Sequence, residues 1–147
     1  MTSDPVFALD TSVAVPLLVG SHEAHKAVSS WAKGRVLGLC GQALVETYAV
    51  LTRLPGDARV APADAVKLIN DRFARHFALS AESASRAHEV LGDRGVAGGA
   101  TYDGLVALAA VEHGVALVTR DARAWPTYDA VGANVIQPIG KGNGIDE

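Results

Sequence analysis

Three short runs in this chain are apolar at nearly every position: Val6 to Asp10, which ends in an acid, Val36 to Cys40, and Val115 to Thr119. A strand with one wet face alternates apolar and polar residues. A run that is apolar throughout has both faces covered, as in a parallel sheet packed between helices. Segments with helical spacing separate these runs, and the resulting alternation predicts an α/β architecture. A helix is expected from Thr11 to Val19, kinked or shortened at Pro16 because proline lacks the amide hydrogen. Further helices are expected over about 23–33 and 42–53, the second stopped by Pro55-Gly56. Pro62 suits the first turn of another helix, whose apolar face takes in Val66, Ile69, Phe73 and Phe77. Ser80 to Ser83 fits a capping box opening a helix that runs to about Gly92. Thr101 to His113 forms the next helix, closed by Gly114. A weak last strand is expected over 134–137.

Four acids interrupt this apolar pattern. Asp10 ends the first run, and Asp121 follows the third by two residues. Glu46 lies in Ala-Leu-Val-Glu-Thr-Tyr-Ala-Val-Leu, where hardly any helix face is free for water. Asp103 falls in the first turn of a strongly apolar helix. Lone buried acids are costly and are seldom kept without partners. In open parallel sheets, ligands bind beyond the carboxyl ends of the strands, where the strand order reverses. If the strands before Asp10 and Asp121 are neighbours, both acids emerge at that edge. Converging carboxylates can share a hard divalent cation capable of phosphodiester chemistry. Simpler roles stay open for each: helix caps for Asp10 and Asp121, an ion pair with Arg53 for Glu46, and a helix-dipole contact for Asp103.

Composition narrows the classes. The 147 residues fit one domain, and 49% hydrophobic against 20% charged residues supports a packed core. A net charge of -3 argues against gripping nucleic acid by bulk charge alone. The single cysteine, Cys40, allows neither an intramolecular disulfide nor a thiolate zinc site. No secretory signal is evident, and no apolar run nears the ~20 residues that cross a bilayer. A soluble, cytoplasmic protein without a membrane partner is expected.

Leu9-Asp10-Thr11-Ser12, Glu46 with its flanking residues as far as Leu-Thr-Arg-Leu-Pro, Tyr102-Asp103, and Leu117-Val-Thr-Arg-Asp121 resemble, in this order and spacing, the PIN-domain nucleases, and most of all the VapC-type toxins of bacterial toxin–antitoxin pairs. No one of these motifs is specific; the ordered set is. The resemblance implies a PIN-like three-layer α/β sandwich over residues 1–138, with a mostly parallel central sheet, helices on both faces and a loose tail over 139–147. It implies Mg²⁺ or Mn²⁺ held by acids at the positions of Asp10, Glu46, Asp103 and Asp121. Asp10 and Asp103 would be the most direct ligands, Asp121 would complete the shell, and Glu46 would act on a ligand water. Thr11, Ser12 and Thr119 match small hydroxyl positions near the metal, and Pro16 departs from the pattern in a way that could shift Ser12. The implied substrate is RNA, and the implied partners are a second copy of the chain and a cognate VapB-type antitoxin.

Arg120 and Arg123 flank Asp121 and could meet phosphates. Arg72, Arg75 and His76 cluster on one predicted helix. Two alternatives use the same residues differently: a catalytically inactive PIN-like binding protein, or a phosphotransfer protein. A phosphatase of the haloacid-dehalogenase type would want an acid at the position of Ser12. A receiver would want a lysine after a late strand, and none follows Thr119.

Overall fold

The computed structural model describes residues 4–139. The chain runs β1 (Val6–Leu9), α1 (Thr11–Leu18), α2 (His25–Ala32), β2 (Val36–Cys40), α3 (Ala43–Thr52), α4 (Pro62–Arg72), β3 (Arg75–Phe77), α5 (Ala81–Asp93), α6 (Ala100–His113), β4 (Ala116–Val118), α7 (Trp125–Val131) and β5 (Val135–Ile136), with a single 3-10 turn over Gly56–Ala58. The five strands form one sheet in the order β3-β2-β1-β4-β5, and every pairing is parallel. This is the expected sandwich. Leu9, Leu37, Leu39 and Val118 pack with residues of α1 to α4. Ala8, Cys40, Phe77 and Leu117 pack with α5, α6 and α7. The strands are apolar throughout because each face meets its own helical layer. Among the described residues no helix is long and apolar enough to cross a membrane. The tail from residue 140 onward lies outside the described residues.

Two elements differ from the sequence expectation. Phe77 does not extend the helix before it: α4 ends at Arg72, and Arg75 to Phe77 pair with Gly38 to Cys40 as an edge strand. Arg75 and His76 therefore belong to a strand rather than to the helix of Arg72. Gly38 makes room for this edge, since a Cβ there would lie 2.7 Å from a Phe77 ring carbon and 2.8 Å from the Arg75 carbonyl oxygen. The second difference is α7, a seven-residue helix with Pro126 in its first turn that the pattern did not reveal. The Ser80 cap forms in part. Its hydroxyl accepts from the Ser83 amide, but the reciprocal acceptor comes from another element, because Ser80 N donates to Glu112 on α6. Pro16 remains inside α1 without ending it.

Cys40 is fully buried, and its thiol donates to the Val106 carbonyl at 3.2 Å. Burial, with the charge of Asp10 added, pushes the thiol up to about 12, so it is inert. Gly38→Ala should destabilise the fold by about 1–3 kcal/mol through overpacking against Phe77. Urea unfolding reads this directly, and a neutral result would mean that β3 can move away without cost.

Candidate active site

The strand order reverses between β1 and β4, and this switch point gathers the site. The first strand ends at Leu9, leaving Asp10 as N-cap of α1, while β4 ends at Val118 and leads into Thr119, Arg120 and Asp121. The two strands are direct neighbours in parallel register, so both loops leave the sheet at the same edge. On the other side of β1, β2 delivers α3, with Glu46 in its first turn. The helix preceding β4 runs antiparallel to it, so α6 starts at this edge and carries Asp103 in its first turn. The topology brings all four acids to one end of the sheet.

Asp10 is 5% exposed and held on both oxygens. Its Oδ1 accepts from Ser12 N at 3.0 Å and from Ser12 Oγ at 2.6 Å, and its Oδ2 accepts from the Tyr128 hydroxyl at 2.7 Å. Having donated its proton, the Ser12 hydroxyl accepts from Arg120 N at 2.8 Å and lies 3.3 Å from the Thr119 hydroxyl. Thr119 Oγ1 in turn accepts from Asp121 N at 3.0 Å. Ser12 and Thr119 thus tie the β1 and β4 loops together behind Asp10. Thr11 is elsewhere in the site, its hydroxyl 3.4 Å from Glu46 Oε1. Asp10 keeps its helix-capping role while facing the other acids. Among the described residues Glu46 has no Arg53 ion pair.

With Pro16 inside α1, Ser12 still bonds Asp10, and its carbonyl meets Arg120. Without an amide hydrogen, Pro16 cannot bond the Ser12 carbonyl four residues back, and Arg120 Nη1 donates to that carbonyl at 3.3 Å. Arg123 turns toward Asp121, with Nε 3.9 Å from Oδ1 and its backbone amide 3.0 Å from the same atom.

The acids feel one another. Burial pushes the Asp10 carboxyl up, while the hydroxyls of Ser12, Thr119 and Tyr128 and the Ser12 amide pull it back. Glu46 is raised by burial, then by Asp103 and, more weakly, Asp10, against the Thr11 hydroxyl. Asp103 is raised by burial, then by Asp121 and Asp10, with Arg123 opposing. Among the described residues, no three acid, histidine or cysteine side chains already surround a single ion-sized point. The carboxylates are coupled across the cleft rather than closed on a common centre. Their chemistry nonetheless fits a hard divalent cation: the donors are oxygen only, negatively charged, and destabilised by each other.

Sequence reasoning missed Tyr128. It belongs to the unforeseen α7, and no local pattern marks a tyrosine whose partner is 118 residues away.

The model of the PIN domain family matches residues 7–130. Ribonuclease VapC27 of Mycobacterium tuberculosis is 53% identical over 132 residues, covering 90% of this chain and 96% of that protein. Two solved structures share the fold. VapC20 of Mycobacterium tuberculosis, a sarcin–ricin loop cleaving toxin, has a TM-score of 0.62 at 22% identity, covering 86% of this chain and 95% of its own. VapBC2 of Rickettsia felis, solved bound to a DNA fragment from its promoter, has a TM-score of 0.61 at 15% identity, covering 90% and 98%. The chain belongs to the PIN-domain family. Within that family its sequence groups with the VapC ribonucleases.

Raised carboxyl groups make the metal-free protein sensitive to pH. For Asp10, Glu46 and Asp103 the folded pKa exceeds the unfolded one, so the native state holds more protons. Their stabilising contribution is complete below the ordinary carboxylate range and is lost as pH rises through the raised values. Asp103→Asn removes one of the repelling charges. In EDTA it should melt above the parent at pH 7, with the difference shrinking as pH falls and closing by about pH 3, below the ordinary Asp range. Calorimetry across that range checks this, and a difference independent of pH would uncouple Asp103 from its neighbours.

Proposed function

We propose that this chain is a divalent-metal-dependent endoribonuclease that acts as the toxin of a VapBC-type toxin–antitoxin pair, silenced by a cognate VapB-type antitoxin. The observation that carries the reading is the mutual coupling of Asp10, Glu46, Asp103 and Asp121, delivered by separate elements to the switch point of a PIN fold. The naming of its 53% identical relative as a ribonuclease supports RNA as the substrate. The working form is a homodimer, and the domain comprises residues 1–138 with 139–147 as an appended tail.

Asp10 and Asp103 would hold Mg²⁺ or Mn²⁺ most directly, with Asp121 completing the set. Oxygen-only donors suit these ions better than zinc. A bound cation of this kind supplies charge neutralisation at the phosphoryl oxygens and acidifies a water. The protein does the rest. Ser12 and Thr119 fix the Asp10 carboxylate and lock the loop that carries Asp121. Glu46, its carboxyl raised by burial and by Asp103 and Asp10, is placed to take a proton from the attacking water. Arg120 is exposed beside the acids and meets the phosphate backbone, while Arg123 offsets the charge of Asp103 and Asp121. In-line attack of water on phosphorus, with the 3′ oxygen leaving, yields a 5′-phosphate and a 3′-hydroxyl.

Asp10→Asn and Asp103→Asn should each lower RNA cleavage in Mg²⁺ or Mn²⁺ by on the order of 100-fold or more, since even outer partners of a metal site cost 10–100-fold. End mapping of the products of wild type and Asp10→Asn is the assay. Undiminished cleavage by the folded variants refutes the assigned roles. Arg120→Glu should weaken RNA binding, more at low salt than at high, and flatten the dependence of affinity on salt. Filter binding over a salt series measures both, and unchanged affinity would remove the phosphate contact.

A further inference from the structure

Among the described residues Tyr128 is the largest of the fully buried side chains, 1% exposed, and lies on the layer formed by α5 to α7. A phenylalanine would fill the same space without burying a hydroxyl, and a buried tyrosine hydroxyl needs a partner. The partner is the carboxyl oxygen Asp10 Oδ2, at 2.7 Å. An ionised carboxylate has about four acceptor positions, two on each oxygen. Both positions on Oδ1 are filled by Ser12, through its amide and its hydroxyl. On Oδ2 the only protein donor among the described residues is Tyr128. Thr119 lies close enough to favour the ionised carboxyl as well, but the hydrogen bond that sets the direction of Oδ2 is the one from Tyr128.

We infer that Tyr128 is a positioning residue for the metal centre, anchoring Asp10 Oδ2 so that the carboxylate is held in one orientation toward the cation it would bind. The inference rests on the divalent-metal reading above. It makes Ser12 and Tyr128 the two stays of the carboxylate plane, one on each oxygen. A phenol hydroxyl with a carboxylate oxygen at 2.7 Å can only be the donor of that bond. Its distance in sequence and its place on α7 make it an orienting group from the opposite helical layer to that of α1, which Asp10 caps. Such outer partners of a ligand typically govern 10–100-fold in metal affinity.

The test is Tyr128→Phe in the full chain, read by Mn²⁺ binding without RNA (free Mn²⁺ by electron paramagnetic resonance), by thermal melting, and by kcat and KM for RNA cleavage. The expected result is Mn²⁺ affinity about 10–100-fold weaker, a lower kcat, and an unchanged KM for RNA. A variant that melts lower but binds Mn²⁺ like wild type overturns the inference and leaves a structural hydroxyl only. A second measurement covers a variant that fails to fold. The chain has three tyrosines, and 3-fluorotyrosine placed at position 128 keeps the hydroxyl. Its ¹⁹F resonance should shift on addition of Mg²⁺, and the shift should vanish in Asp10→Asn. A resonance indifferent to Mg²⁺ in a protein that binds Mn²⁺ overturns the role of Tyr128 alone. Absence of Mn²⁺ binding by wild type overturns the metal reading and this inference together.

Discussion

Asp10 is a carboxylate that water can hardly reach, at the end of the central strand of the sheet. Solvation lost on burial must be replaced by fixed dipoles, or the group takes up a proton. The protein supplies the dipoles from three directions: the start of α1 through Ser12, the loop after β4 through Thr119 behind it, and α7 through Tyr128. Each of these contacts also fixes an element in place. The carboxylate is therefore the point at which the two helical layers and the switch-point loops are brought into register.

The surrounding acids have a different relation to stability. Glu46 and Asp103 are half-buried; Asp103 and Asp10 raise Glu46, and Asp121 and Asp10 raise Asp103, so the closeness of the acids is unfavourable to the fold. Repulsion of this kind persists where something outside the fold makes use of it. The small hydroxyls moderate it at single atoms, and Arg123 moderates it at Asp121 and Asp103, but none of them cancels it. The strongly packed apolar clusters on either face of the sheet bear the cost. Pro16 shows how local exceptions are absorbed: one helix bond is lost, and the freed Ser12 carbonyl takes the Arg120 guanidinium, drawing a basic group toward the acidic cleft.

Much of the frame was legible because burial on both sides leaves an unbroken apolar signature. The strands β1, β2 and β4 stand out that way, and an acid at the end of such a run is conspicuous. The edge strand β3 was not legible. Arg75 and His76 are exposed, and Phe77 continues the apolar spacing of the helix before it, so only the missing side chain at Gly38 permits the pairing. The short helix α7 was equally hidden, since seven residues opened by Trp-Pro carry too little periodicity. Candidate ligands could be picked out because they violate their surroundings. Tyr128 does not violate its own: it reads as one more core aromatic until its hydroxyl is traced across the molecule. The nature of the four acids as a set became apparent from order and spacing, whereas the hydroxyl groups that restrain Asp10 could be ranked only once the loops were seen side by side.

The contact between residues 10 and 128 also bears on how the chain comes off the ribosome. The acid is made among the first residues, and the group that steadies its second oxygen follows 118 positions later. A nascent chain that has already threaded β1, β2 and most of the helices out of the exit tunnel still lacks that stay. The carboxylate acquires its final orientation only when nearly the whole domain has emerged. A polypeptide able to cut RNA beside the machinery translating it would thereby be kept incomplete until synthesis of the domain is almost over.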